Sequence, residues 1–260
     1  MAHRYQRTGA GVLAVRIDAA DWRQCLDRIA EWAAGRESRY VCMCNVHSVV
    51  TAQREPAFRA VINAADLALP DGTPIAWCLR RRGFPGQQRI NGPDLMWRCC
   101  ARAEQENLPV FLYGCSTETL RRLSGHLARE FPGLKLAGSH APPFRQLTAE
   151  EDAQVERMIE SSGAQIVFVA LGCPRQEAWM AARRGRIRAV MLGVGAAFEY
   201  HAGVVRRAPR WMQAAGMEWL YRLLSEPGRL WRRYLVTNTL FIVYSLGEFF
   251  RDGRSDHGRI

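Results

Sequence analysis

Of the 36 basic residues in this 260-residue chain, only Lys135 is lysine. A skew this general is what codon composition produces, so abundant arginine is discounted as a sign of nucleic-acid binding. The chain also has no D-x-D, so a common aspartate pair for divalent metal is missing. It has no C-x-x-C, which excludes a zinc knuckle. No complete G-x-G-x-x-G or Walker sequence occurs, so dinucleotide- and ATP-binding readings lack their fingerprints. The uncharged apolar run Tyr234–Gly247 covers only 14 residues, broken by Thr237, Asn238 and Thr239. A membrane span needs about 20, so this segment is expected to lie on a bilayer rather than cross it.

What is present is ordinary in bulk and unusual in charge. Hydrophobic residues make up 48% and charged residues 23%, which fits a packed globular chain and excludes general disorder. The net charge of +11 favours an anionic partner, either phosphates or a membrane face. Eight cysteines at irregular spacing are expected to be free thiols in a reducing cytoplasm. The Met1–Arg7 stretch lacks the apolar core of a signal peptide.

Short apolar runs alternate with longer amphipathic stretches from about residue 10 to 200. Strands are expected at Tyr40–Cys44, Asp66–Leu69, Val110–Tyr113, Leu134–Gly138, Ile166–Leu171 and Ala189–Leu192. Helices are expected at Asp21–Ala34, Pro93–Glu106, Thr117–Phe131, Thr148–Ser161 and Pro174–Arg183. Thr148 and Glu151 fit a capping box, and Pro174 fits a first helical position. The alternation predicts an α/β fold with a Rossmann-like parallel sheet, covered on both faces and binding ligands outside the strands' carboxyl ends. After about residue 203 no strand pattern remains. Arginines and aromatic residues interleave there, and only Glu218 and Glu226 offset seven arginines between 206 and 233. This divides the chain into a core, 1–203, and a helical, basic C-terminal appendage, 204–260.

Four segments can carry chemistry. Asp71-Gly72 follows an expected strand and precedes a helix near Pro74; its carboxylate is either a general base or a helix cap. Asn45 ends another strand, where its amide either caps a helix or holds a sugar hydroxyl or a base edge. Asp66 reads as marking the start of its strand, and His47 as structural. The stretch Leu171-Gly172-Cys173-Pro174-Arg175-Gln176-Glu177 brings a glycine turn to a helix start, whose amides suit an anion and whose Gln176 can reach a ligand. Gly193 and Gly195 form a second close-approach turn. Arg89, before Gly92-Pro93, either forks onto a diphosphate or pairs with Asp94.

The order of these strings carries more than any one of them. Asn45, the Ala65–Gly72 stretch, Arg89-Ile-x-Gly-x-Asp94-Leu, Leu171-Gly-x-Pro-x-Gln-Glu177 and Gly193-Val-Gly195 follow one another. Ala202-Gly203, Arg207-Ala-Pro-x-Trp211, Glu218-Trp-Leu-Tyr-Arg222 and Glu226-Pro-x-x-Leu-x-Arg-Arg-Tyr234 complete the series. The series resembles the WecG/TagA/CpsF glycosyltransferases (glycosyltransferase family 26) over about residues 12–245. The resemblance implies an inverting, metal-independent transferase without a cofactor. Its donor would be a UDP-sugar and its acceptor a polyprenyl-diphosphate-linked saccharide. It would work on the cytoplasmic face of the bacterial plasma membrane, peripheral to an anionic surface. The preferred donor is UDP-glucose, with β-1,4-type transfer in exopolysaccharide synthesis. The alternative is UDP-N-acetylmannosamine or UDP-N-acetylmannosaminuronic acid, as in teichoic acid or enterobacterial common antigen synthesis.

Motif positions imply Asp71 as catalytic base, with Asn45 and Arg89 as active-site partners. They imply Gly172, Gln176, Gly193, Gly195, Arg222, Arg229 and Arg232 as substrate-binding residues, the three arginines closing over the site. Arg206, Arg207, Arg210 and Arg233 are then left for the membrane. Pro227 favours two short appendage helices over one. Met43 stands where the family often has Thr, and Arg175 where it has Lys. No nucleic-acid partner is expected, and homo-oligomers are compatible. A Rossmann-type oxidoreductase is the alternative from another class.

Overall fold

The computed structural model describes residues 7–255, and the side chains of all of these except residues 229, 233 and 249–255. Six parallel strands form the central sheet: β3 (Arg39–Cys44), β4 (Leu67–Pro70), β5 (Val110–Gly114), β6 (Leu136–His140), β7 (Ile166–Ala170) and β8 (Val190–Gly193). Their order is β4-β3-β8-β7-β5-β6, with every neighbouring pair parallel. The α/β class and the Rossmann-like core are as the alternation required. Strands β5, β7 and β8 are buried at every residue, as covered parallel strands must be. Edge strand β6 is partly exposed and starts two residues later than the apolar pattern indicates.

The other edge is covered by a feature the sequence reading lacked. A hairpin of β1 (Gly9–Val12) and β2 (Val15–Asp18) sits beside β4. Asp18, fully buried, accepts the Ala68 backbone N–H at 2.7 Å and pairs with Arg7 at 2.6 Å. An otherwise open edge N–H is thereby satisfied.

Helices α1 (Trp22–Ala34), α2 (Val46–Arg54), α3 (Pro56–Ala64), α4 (Thr73–Arg81), α5 (Gly92–Gln105), α6 (Thr117–Glu130), α7 (Ala149–Ser161) and α8 (Arg175–Ala182) connect the strands. Two large apolar clusters lie on the two sides of the sheet. One gathers Ile29, Leu95, Leu112 and Phe168; the other gathers Tyr40, Val49, Ile75 and Met191. The Thr148–Glu151 capping box forms as expected. Pro174 is the N-cap of α8 rather than its first residue.

Past β8 the described chain is helical: α9 (Ala197–His201), α10 (Arg210–Ala214), α11 (Glu218–Ser225) and α12 (Pro227–Ser255). The break at Glu226, just before Pro227, separates α11 from α12. The expectation of two short helices needs correction, because α12 is 29 residues long. Its start satisfies the proline, whose missing N–H costs nothing at a first helical position. Leu230 and Thr237 face inward, while Leu235, Ile242 and Leu246 are exposed. No helix among the described residues is long and apolar enough to cross a membrane.

Candidate active site

The carboxyl ends of four adjacent strands carry the candidate residues. Asp71 follows β4, Asn45 follows β3, Gly195 follows β8, which ends at Gly193, and Gly172 to Gln176 follow β7. In a parallel sheet these ends share one edge, so residues up to 150 positions apart meet there.

Asn45 caps α2: its side chain accepts from the Ser48 N–H at 3.1 Å, in a reciprocal capping box. The capping reading therefore holds for its oxygen and leaves the amide nitrogen without a hydrogen bond among the described residues. Asp71 does not cap α4. The N-cap is Gly72, at φ 127°, with no side-chain bond to the helix. That positive φ suits glycine, and a Cβ there would lie 3.9 Å from the Asn45 Cβ. The two loops are thus neighbours. Asp71, with 22% of its side chain exposed, has its carboxyl pushed up to about 6 by burial, against the pull of Arg89. A carboxylate held near neutrality and free of structural duty is suited to take a proton.

Arg89 faces Asp71, its Nε 3.9 Å from Oδ1. Its NH2 group donates to Glu218 at 2.5 Å. Burial opposes its charge, but the carboxylates of Asp71 and Glu218 hold the guanidinium above its ordinary range. Of the two alternatives for Arg89, the pairing with Asp94 does not form, because Arg207 takes Asp94. Arg207 also donates to Glu218 at 3.3 Å and to Asn91 at 3.2 Å. Arg207 is therefore part of the site's wall, and its expected place on the membrane side is corrected. Three acids, Asp71, Asp94 and Glu218, thus hold two arginines in place.

On the β7 and β8 side, Gln176 is buried. Its amide donates to Glu177 Oε1 at 2.9 Å and to the Gly193 carbonyl at 3.2 Å. A Cβ at Gly193 would lie 2.8 Å from the Met180 Cε and 3.1 Å from the Gln176 Nε2, so a larger residue there would push these two α8 side chains aside. Gly172 and Gly195 have φ 78° and 55°. Arg222, on α11, lies over the Tyr200 ring at 5.7 Å. Burial pushes the Tyr200 phenol up to about 12, which keeps it a donor. Arg232 is exposed beside Trp231, 5.5 Å from its ring, so it is not gathered with Arg222. The Arg229 side chain lies outside the described residues.

Among the described residues, four buried polar atoms around this edge have no hydrogen-bond partner: Arg89 Nε, Arg222 Nε, Gln176 Oε1 and Tyr200 OH. Leaving such a group unsatisfied costs about 1–3 kcal/mol. Three donors and an acceptor left bare at one sheet edge describe a place for a polar ligand. Asp66, by contrast, is wholly occupied, by Arg39, Arg184 and the Tyr40 N–H, so its role is structural. Sequence reasoning did not single out Tyr200, and it used Glu218 only as a motif letter. The available signal was an acid retained within an arginine-rich run.

The glycosyl transferase WecG/TagA/CpsF family model matches residues 10–255. The chain belongs to this family. It is also similar to an N-acetylglucosaminyldiphosphoundecaprenol N-acetyl-beta-D-mannosaminyltransferase of Bacillus spizizenii. The two are 34% identical over 197 residues, covering 75% of this chain and 74% of the relative. The family makes the protein a glycosyltransferase.

Proposed function

We propose that the protein transfers N-acetylmannosamine from UDP-N-acetylmannosamine to a saccharide linked to a polyprenyl diphosphate. The relative's name supports this donor over UDP-glucose, so the glucose preference drawn from the family resemblance is given up. The observation that carries the mechanism is Asp71, uncapped at the end of β4 and beside Arg89. In a single displacement, Asp71 removes the acceptor hydroxyl proton while that oxygen attacks the anomeric carbon. The bond from that carbon to the diphosphate oxygen breaks, and its electron pair leaves with UDP. One displacement inverts the anomeric centre.

Negative charge grows on the departing diphosphate, and donors already in place stabilise it without reorganising. Arg222 Nε and Arg89 Nε supply two of them in this reading. Gln176 Oε1 accepts from a hydroxyl or N–H of the donor. Among the described residues no group of three His, Cys, Asp or Glu side chains is placed to hold a metal ion.

The acceptor's lipid places the reaction at a membrane, and α12 suits that contact. Trp231, Leu235, Ile242 and Leu246 are all exposed and fall within about 60° of arc at 3.6 residues per turn. An apolar stripe turned to solvent fits a helix lying in a bilayer interface. The deciding experiment offers the full-length protein a panel of UDP-sugars with a lipid-linked N-acetylglucosaminyl diphosphate. Transfer from UDP-N-acetylmannosamine, at least tenfold above UDP-glucose, is expected. Faster transfer from UDP-glucose would restore the discarded donor.

A further inference from the structure

Glu218 lies on α11, 147 residues beyond Asp71 in the chain, yet both carboxylates address the same guanidinium. Glu218 Oε2 accepts from the Arg89 NH2 group, and its Oε1 faces Arg207 Nε. Arg207 is in turn tied to Asp94 and Asn91 at the start of α5. Glu218 is buried, so its charge acts through little water. The consequence is visible in Arg89: one terminal nitrogen is engaged, while Nε–H stays bare beside Asp71.

We infer that Glu218 is a positioning residue for the transfer reaction, holding Arg89 so that its Nε–H serves the substrate and Asp71 stays free to accept a proton. This rests on the glycosyltransferase reading of the site. Without the Glu218 carboxylate, nothing retains the Arg89 NH2 group. The guanidinium is then free to rotate into a two-pronged pair with Asp71, the geometry a carboxylate favours. That pair blocks both carboxylate oxygens and makes Asp71 a weaker base. Removing the Glu218 charge acts in the same direction, because a nearby negative charge raises a carboxyl's affinity for its proton.

The groups facing Asp71 are known from each element around it. Arg89 approaches from the loop before α5, Arg207 from the loop before α10, and Glu218 and Arg222 from α11. The Cys44 thiol, at the end of β3, is held neutral by burial and adds no charge. Glu218 is the one further acid in this set, so its removal has an unambiguous sign.

The test follows kcat/KM against pH for the full-length protein, with UDP-N-acetylmannosamine and a lipid-linked N-acetylglucosaminyl diphosphate. Glu218→Gln is expected to move the acidic limb to lower pH by roughly half a unit or more and to lower kcat roughly tenfold, leaving the donor KM within about twofold. Glu218→Asp keeps the charge and returns both quantities part of the way. A limb that stays in place in Glu218→Gln overturns the inference, whatever the loss of amplitude, because a purely structural contact lowers rate without moving it. Should Glu218→Gln fail to fold, the smaller displacement in Glu218→Asp is the reading, and an unmoved limb there overturns the inference equally. Titration of the Asp71 carboxyl by carbon NMR in wild type and Glu218→Gln reads the same shift without turnover. If no UDP-sugar is transferred yet that titration moves, the functional reading fails and the coupling of Glu218 to Asp71 stands.

Discussion

A Cβ added to Gly216 would lie 2.7 Å from the Thr73 Oγ1, with the glycine at φ 72°. Gly216 is in the turn between α10 and α11, and Thr73 opens α4 two residues after Asp71. The helical C-terminal segment therefore meets the loop of the candidate base at a point with no room for a methyl group. Gly216→Ala combines a left-handed backbone with that clash and is expected to weaken the contact by about 1–3 kcal/mol. Cleavage by trypsin within residues 206–233 should become faster and turnover should fall, while the sheet's far-ultraviolet signal is unchanged. Unaltered cleavage and turnover would mean that this contact does not hold the C-terminal segment against the Asp71 loop.

Asp71→Asn is expected to lower turnover by roughly 10²–10⁴-fold, the usual worth of a general base, while UDP affinity by calorimetry stays within a few-fold. The pH dependence has a definite sign. A base with its proton affinity raised to about 6 must lose that proton to work, so activity rises through about pH 6 and levels off above it. Stability moves the other way. The folded chain holds this proton more tightly than the unfolded chain, so the Asp71 contribution to stability falls as pH rises from about 4 to about 6. The Asn variant cannot ionise there and should melt at least as high as wild type at pH 8. A variant that turns over normally would remove Asp71 from the mechanism.

These relationships were unevenly visible in the sequence. Strands β7, β8 and β3 after Arg39 are continuous apolar runs because both faces are covered, and such runs are read directly. The hairpin β1–β2 is two four-residue strands; β1 carries two glycines, and the alternation of β2, Val15-Arg16-Ile17-Asp18, is too short to stand out as a strand. Asn45 and Asp71 look alike in sequence, each a short polar residue between strand and helix. Only the backbone distinguishes them, since Gly72 takes the cap from Asp71 and leaves its carboxyl unused. The arginine partners were not legible at all. Arg207 reaches Asp94 across 113 positions and Arg89 reaches Glu218 across 129, and local spacing says nothing about such pairs.

Transfer is expected to persist in excess EDTA. Two side-chain cations with bare N–H groups, Arg89 and Arg222, face the edge where a diphosphate would leave. Guanidinium groups take phosphate oxygens through paired N–H donors and can replace a divalent ion as charge partner. The check compares initial rates in EDTA with rates after adding back Mg²⁺ or Mn²⁺. Complete loss that metal restores would overturn the arginine assignment.

Membrane contact through α12 is expected to depend on its outward stripe more than on its ends. Leu235 is 61% and Ile242 58% exposed, so replacing both with Glu removes little packing and should cost about 0.5 kcal/mol or less per site. In a bilayer the same two side chains would each gain up to about 1.5–3 kcal/mol on burial. The substitutions also place two negative charges against an anionic surface, where each basic residue is worth about 1 kcal/mol. Once Arg207 is counted with the site, Arg206, Arg210 and Arg233 are left for lipid; Arg206 and Arg210 are exposed, and the Arg233 side chain lies outside the described residues. Co-sedimentation with phosphatidylglycerol vesicles should therefore drop at least tenfold in Leu235→Glu/Ile242→Glu. UDP binding should be unchanged, because neither residue is among the groups around Asp71. Transfer to a lipid-linked acceptor should fall in parallel with vesicle binding, and a short-chain soluble acceptor should restore it. Vesicle binding equal to wild type would place the membrane contact elsewhere on the protein.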